Sequence, residues 1–147
     1  MRKRVLFLGS STTWEVPSGV DYCTARICGG GGAGSDIGPT AGANSTVSCD
    51  AGVYSGVGSD PVLAPYMGSY ATCRSGREFS GQSAFIACGQ HSHTYMGQIP
   101  AAVNEFGINL IPGETVTITV GAGGAQGTVD LGTANGGSGS VNIEYWI

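Results

Sequence analysis

Pro112-Gly113-Glu114-Thr115-Val116-Thr117-Ile118-Thr119-Val120 runs into Gly121-Ala122-Gly123-Gly124. Val116, Ile118 and Val120 alternate with Thr115, Thr117 and Thr119. A period of two gives each set its own face of a β-strand. Ile118 is therefore expected in a core and Thr117 in solvent. Upstream, Asn104-Glu105-Phe106-Gly107-Ile108-Asn109-Leu110 alternates in the same way. Between the two lies Ile111-Pro112-Gly113-Glu114, which reads as a type II turn because Pro presets φ and Gly accepts φ > 0. The spacing predicts a hairpin of strands 103–110 and 114–120.

Working outward, Ser140-Val141-Asn142-Ile143-Glu144-Tyr145-Trp146-Ile147 follows Gly136-Gly137-Ser138-Gly139 and reads as a strand with Val141, Ile143 and Tyr145 inward. Thr13-Trp14-Glu15-Val16-Pro17 leads to Asp21-Tyr22-Cys23-Thr24-Ala25-Arg26-Ile27-Cys28 and the run Gly29 to Gly32. The strand candidates are 3–8, 12–17, 20–28, 83–88, 103–110, 114–120, 126–131 and 140–147. No segment longer than a turn or two reads as helix, and 101–106 is the best short candidate. The fold class is all-β, a glycine-rich β-sandwich or jelly-roll-like domain over residues 1–147. Its strand framework is about 1–28 and 103–147, around an irregular glycine-rich middle, about 29–100.

That middle holds the difficulty. Residues 29–82 contain thirteen glycines and three prolines with little periodicity. A structureless stretch of that length does not suit a compact domain. It forms either several short strands and turns, or glycine packed against glycine in extended polyglycine-like rods. Both readings stay open at this point.

Composition narrows the class of function. Hydrophobic residues make up 41% of the 147, enough for a core, while charged residues are only 11%, far below the ~25% of ordinary globular domains. So little surface charge suits a chain that is packed in an assembly rather than dispersed alone. The formal net charge is −4, and Arg2, Lys3 and Arg4 supply three of the six positive charges. From residue 5 onward, three arginines face ten acids, a net of −7. That balance argues against nucleic-acid binding, which needs a basic face. Val5-Leu6-Phe7-Leu8 behind the basic trio is too short for a signal-peptide core, so 3–8 is expected as the first strand of a chain without an export signal. No segment approaches the ~20 apolar residues of a membrane span. Cys23, Cys28, Cys49, Cys73 and Cys88 lack close C-x-x-C pairs. Without export they are expected as thiols, with Cys73 and Cys88 the first pair to test for a disulfide.

A family resemblance rests on three blocks. Trp14-x-Val16-Pro17 with Gly19-Val20, then a strand into Gly29-Gly30-Gly31-Gly32, resembles the opening of a glycine-rich β domain of bacteriophage tail-fibre and virion proteins. Pro112-Gly113-x-x-Val116-Thr117-Ile118-Thr119-Val120-Gly121-Ala122-Gly123-Gly124 resembles that family's most recognisable stretch. Gly136 to Ile143 resembles its closing strand. The blocks occur in family order, and residues 35–100 depart from the pattern. The resemblance implies a β-sandwich-like fold, a virion setting after assembly in the host bacterial cytoplasm, and a role at a fibre or spike tip. It implies no catalytic residues. The expected function is that of a phage structural protein of the tail, baseplate or fibre tip, which serves assembly and host attachment. A capsid decoration or head-fibre protein is the alternative, and a small glycan-active enzyme the second. Expected partners are other virion proteins, further copies of the chain in a trimer, and a host surface receptor. Neither nucleic acid nor membrane insertion is expected.

Few constellations carry chemistry. Gly29-Gly30-Gly31-Gly32-Ala33-Gly34 matches G-x-G-x-x-G, but Ser35-Asp36-Ile37-Gly38-Pro39 behind it cannot supply the helix N-terminus that holds a pyrophosphate. Gly31 to Asp36 matches the start of a calcium-binding nonapeptide, a motif that works only in stacked copies. Neither G-x-S-x-G nor H-E-x-x-H occurs, and no catalytic residues or resident cofactor are expected. His91-Ser92-His93 is the metal candidate. On a strand, i and i+2 share a face, and three copies around a threefold axis would gather six imidazole nitrogens for an octahedral transition metal. The pattern resembles the H-x-H iron sites of trimeric phage fibre tips. The plain reading is two histidines in a polar loop. Tyr54, Tyr66, Met67 and Tyr70 are the candidates for receptor or partner contact, since aromatics on small-residue loops give area at low ordering cost. The plain reading is that they fill the loops' own small core.

Overall fold

The computed structural model describes residues 1–32, 34–35, 40–58, 62–63, 103–124 and 137–147. Among them there is no helix. The strands are β1 (Lys3–Leu8), β2 (Thr12–Glu15), β3 (Tyr22–Cys28), β4 (Gly34–Ser35), β5 (Ser45–Cys49), β6 (Gly52–Gly56), β7 (Val62–Leu63), β8 (Val103–Asn109), β9 (Thr115–Thr119) and β10 (Ser140–Trp146). Two antiparallel sheets face each other. Sheet A has the order β1-β10-β3-β8 and sheet B the order β2-β9-β5-β6, while β4 and β7 form a short parallel pair. The fold is an all-β sandwich.

Alternation builds the core. Sheet A turns Cys23, Ala25, Ile27, Ile108, Val141, Ile143 and Tyr145 inward, and sheet B turns Val47, Val116 and Ile118 to meet them. Thr115, Thr117 and Thr119 stay exposed, as the period of two requires. Each fully buried Val or Ile contributes roughly 1.5–3 kcal/mol relative to exposure. One lateral margin is closed where β8 meets β6. Asn104 Nδ2 donates to the Ser55 carbonyl (3.0 Å), and the Tyr54 and Phe106 rings lie 5.2 Å apart. At the other margin the Trp14 and Tyr145 rings meet at 5.2 Å.

The Ile111–Glu114 turn forms, with Glu114 N–H donating to the Ile111 carbonyl (2.9 Å) and Gly113 at φ 86°. The predicted hairpin does not form. β8 pairs with β3 in sheet A, while β9 pairs with β2 and β5 in sheet B. The turn carries the chain from one sheet to the other, because the apolar faces of both strands gain more by facing each other across the core than by lying side by side. Glu114 holds the crossing. Its carboxylate accepts from Ile111 N–H (2.7 Å) and Asp50 N–H (2.9 Å), and its carbonyl accepts from Val16 N–H (2.9 Å).

Two further expectations change. The helical candidate 101–106 is strand from Val103 onward, the β-branched and aromatic Val103 and Phe106 being held by the β3 ladder. The irregular middle supplies β5 and β6, half of sheet B, so the strand framework extends beyond 1–28 and 103–147. The candidates 83–88 and 126–131 lie outside the described residues.

The registers give the sandwich two unlike ends. Tyr22 opposes Asn109 and Lys3 opposes Trp146 at one, which also holds the Ile111–Glu114 turn. Cys28 opposes both Val103 and Ser140 at the other. The first is the terminal end, where Arg2 and Ile147 pair, and the second is the glycine end.

Candidate functional site

At the glycine end, five segments leave the strands and lie against one another: 29–32, 41–44, 56–58, 121–124 and 137–139. Their N–H groups reach across to different neighbours. Gly30 N–H donates to Ala43 O (2.8 Å), Gly31 N–H to Gly137 O (2.7 Å), and Gly124 N–H to Gly31 O (2.7 Å). Ala43 N–H donates to Ala122 O (2.9 Å) and Gly139 N–H to Gly121 O (2.8 Å). Two side chains fill the remaining places. The buried Ser45 Oγ accepts from Gly121 N–H (2.8 Å), and Asn44 Oδ1 accepts from Gly58 N–H (2.9 Å).

Glycine is required here for space rather than for φ. Among the described glycines only Gly19, Gly52 and Gly113 have positive φ. A Cβ on Gly30 would overlap the Ala122 carbonyl, one on Gly42 the Gly30 carbonyl, and one on Gly58 the Gly42 carbonyl. Backbone thus packs on backbone, and Gly29 to Gly32 are buried. Of the two readings of the middle, the described part uses both: short strands and glycine against glycine. Gly29 to Gly32, the first part of the run that matches the letters of a dinucleotide fingerprint, are buried in this packing, and Gly34 begins the two-residue strand β4.

Gly32, Gly58, Gly124 and Gly137 belong to this bundle, and Val103 opens β8 beside it, opposite Cys28. These residues lie at the end of the sandwich opposite Arg2 and Ile147.

The sequence candidates fare unequally. Tyr54 sits on β6, half-buried against Phe106, so it closes the sandwich margin instead of standing on a loop. Tyr66, Met67, Tyr70, His91 and His93 lie outside the described residues, as do Cys73 and Cys88. Among the described residues no group of three His, Cys, Asp or Glu could hold a metal ion. Cys23, Cys28 and Cys49 are free thiols. Burial, and then the charges of Cys49 and Glu114, push the Cys23 thiol up to about 12, and burial raises Cys28 as well. Both are poor nucleophiles at neutral pH, since the thiolate is the reactive form.

Sequence reasoning missed a charged ladder across the outer face of sheet A. Lys3 Nζ lies 3.0 Å from Glu144 Oε2, Arg26 Nη1 lies 3.2 Å from Glu144 Oε1, and Arg26 Nε lies 2.6 Å from Glu105 Oε2. The hydrogen bond from Lys3, aided by the charges of Lys3 and Arg26, holds Glu144 below the usual carboxylate range against the opposing effect of burial. Parity alone marks these four residues as outward. Their pairing needed the strand order, which no local signal carries. At the terminal end, Glu15, Val16, Pro17, Ser18, Pro112 and Gly113 line an open depression of about 380 Å³.

Compared with known proteins, the chain matches no family model, no curated protein and no solved structure. The likeness to the phage glycine-rich domain therefore rests on the three sequence blocks. All three contribute to the glycine end, through Gly29–Gly32, Gly121–Gly124 and Gly137–Gly139.

Proposed function

We propose that the chain is a structural protein of a bacteriophage particle, at the tail, baseplate or fibre tip, where it serves assembly and host attachment. The observation that carries this reading is the glycine end. Five backbone segments are locked together there, main chain against main chain. An end of this kind is a rigid platform with little side-chain bulk, and it faces away from the termini. Low surface charge fits a chain that works by packing against other particle proteins. In this reading the terminal end faces the particle and the glycine end faces the host surface.

Cryo-electron microscopy of the intact particle tests the proposal. Density for this sandwich at the tail tip, fibre or baseplate, glycine end outward, is the expected result. Density on the capsid lattice would move the chain to the decoration role. Absence from the particle would overturn the virion reading altogether.

A further inference from the structure

Sheet A ends on β1, and among the described residues no strand fills its outer edge. Arg2 and Ile147 exchange both backbone hydrogen bonds (2.6 and 2.9 Å). Directly opposed residues of an antiparallel pair alternate between bonded and non-bonded. In the β1–β10 register, Arg4, Leu6 and Leu8 are therefore the residues that bond to Tyr145, Ile143 and Val141. The N–H and C=O groups of Lys3, Val5 and Phe7 point away from β10, and no described strand lies beside them. Their side chains are uncovered too. Val5 is 51% and Phe7 72% exposed, and Leu6 and Leu8 are only half-buried. The opposite margin is closed by the Asn104–Ser55 hydrogen bond and the Tyr54–Phe106 contact. A bare edge with apolar side chains is a template for another strand.

We propose that β1 of a second copy fills this edge, antiparallel about a twofold axis beside Leu6, and joins two A sheets into one. Charge selects the occupant and its direction. Arg2, Lys3 and Arg4 crowd the start of β1, so a parallel copy would set like charges side by side. An antiparallel copy sends the two basic trios to opposite ends, each towards the neutral Gly9-Ser10-Ser11 of the other chain. Residues 5–147 carry a net of −7, so long-range attraction draws the basic start of each β1 towards the acidic body of its partner.

Side chains select the register. With Leu6 opposite Leu6, Val5 of each copy faces Phe7 of the other, a favourable β-branched and aromatic cross-strand pair. Those are also residues whose N–H and C=O groups are free to exchange. With Val5 opposite Val5, Arg4 would face Leu6. The contact is isologous, the same patch on both copies. It is twofold, unlike the threefold that a His91-Ser92-His93 metal site would need, and it does not depend on the virion reading.

Light scattering on the full chain over a dilution series tests it. The expected mass is that of two chains at high concentration, falling towards one on dilution. Val5→Pro is the informative variant. Proline removes an N–H that faces outward, so the β1–β10 ladder keeps its bonds while the contact between copies loses the bond that each Val5 donates and meets the proline ring at its centre. A monomer with the wild-type strand spectrum by circular dichroism is expected. Amide exchange of the wild-type chain gives an independent readout. Val5 and Phe7 should exchange slowly in the dimer and fast after dilution, while Leu6 and Leu8 stay protected in both. A monomer at every concentration, a trimer, a dimer that survives Val5→Pro, or unprotected Val5 and Phe7 amides in a dimer would each overturn the proposal.

Discussion

The middle of the sandwich and its glycine end solve the same packing problem by opposite means. Between the sheets, space is filled by side chains: Ile27, Ile108, Ile118 and Ile143 meet with no exposure above 1%. At the glycine end there is almost no side chain to fill it, and main chains approach until a single methyl group would not fit. A core of side chains tolerates loss of volume badly. A core of backbone cannot tolerate gain. The comparison teaches that a glycine-rich segment need not be a loose one, and that its tolerance to mutation is inverted.

Gly42→Ala should have the largest effect. Its Cβ would overlap the Gly30 carbonyl, and neither neighbour has a flexible side chain that could yield. Ordinary overpacking costs ~1–3 kcal/mol, and this site should exceed about 4 kcal/mol, the range of core-breaking changes. Denaturant unfolding measures it, and a neutral result would mean that the segments are not packed as described. Ile118→Ala probes the other kind of core and should cost ~2–5 kcal/mol through lost burial plus a cavity. Thr117→Ala, one residue away on the exposed face, should stay within ~0.5 kcal/mol. Equal costs at 117 and 118 would erase the distinction between the faces of β9.

Ser45→Ala joins the two regions, since its residue is on β5 and its hydroxyl serves Gly121 N–H. Loss of that acceptor should cost ~1–3 kcal/mol, the penalty for a buried unpaired donor. Ser45→Thr, which keeps the hydroxyl, should recover part of it if the added methyl is accommodated. The smallest effect belongs to the surface. Glu144 has a lowered pKa in the folded chain, so its contribution is present above the unfolded value of ~4.3 and is lost as pH falls through the folded value. Glu144→Gln should flatten that part of the acid limb of a stability–pH curve, and added salt should shrink the difference. A limb unchanged by the substitution would remove the ladder from the account.

Much of the sandwich was legible because it rests on local pattern. The alternation at 115–119 and 140–146 gave both the strands and their buried faces, and Pro112-Gly113 gave the turn. Strand partners were not legible. The same turn serves a hairpin or a crossing between sheets, and the choice depends on which apolar faces meet across the core, which adjacent residues do not encode. Residues 45–49 and 52–56 were passed over for a related reason. Ser45-Thr46-Val47-Ser48-Cys49 has small, mixed side chains whose inward face appears only against Ile118 and Gly121. The glycine end was legible as composition alone, because glycine has no side chain to show a period. Tyr54 illustrates the converse: the residue was legible and its place was not.

The glycine end is part of the packed, cooperative fold and no appendage to it. Hydrogen exchange at individual amides tests this most directly. Gly30, Gly31, Gly121, Gly124 and Gly139 are among the hydrogen-bond donors of the bundle. They should exchange only with global unfolding, at the same free energy as Ile27 and Ile143 in the centre of sheet A. Exchange of these glycines at rates typical of open loops, while Ile27 and Ile143 stay protected, would contradict it.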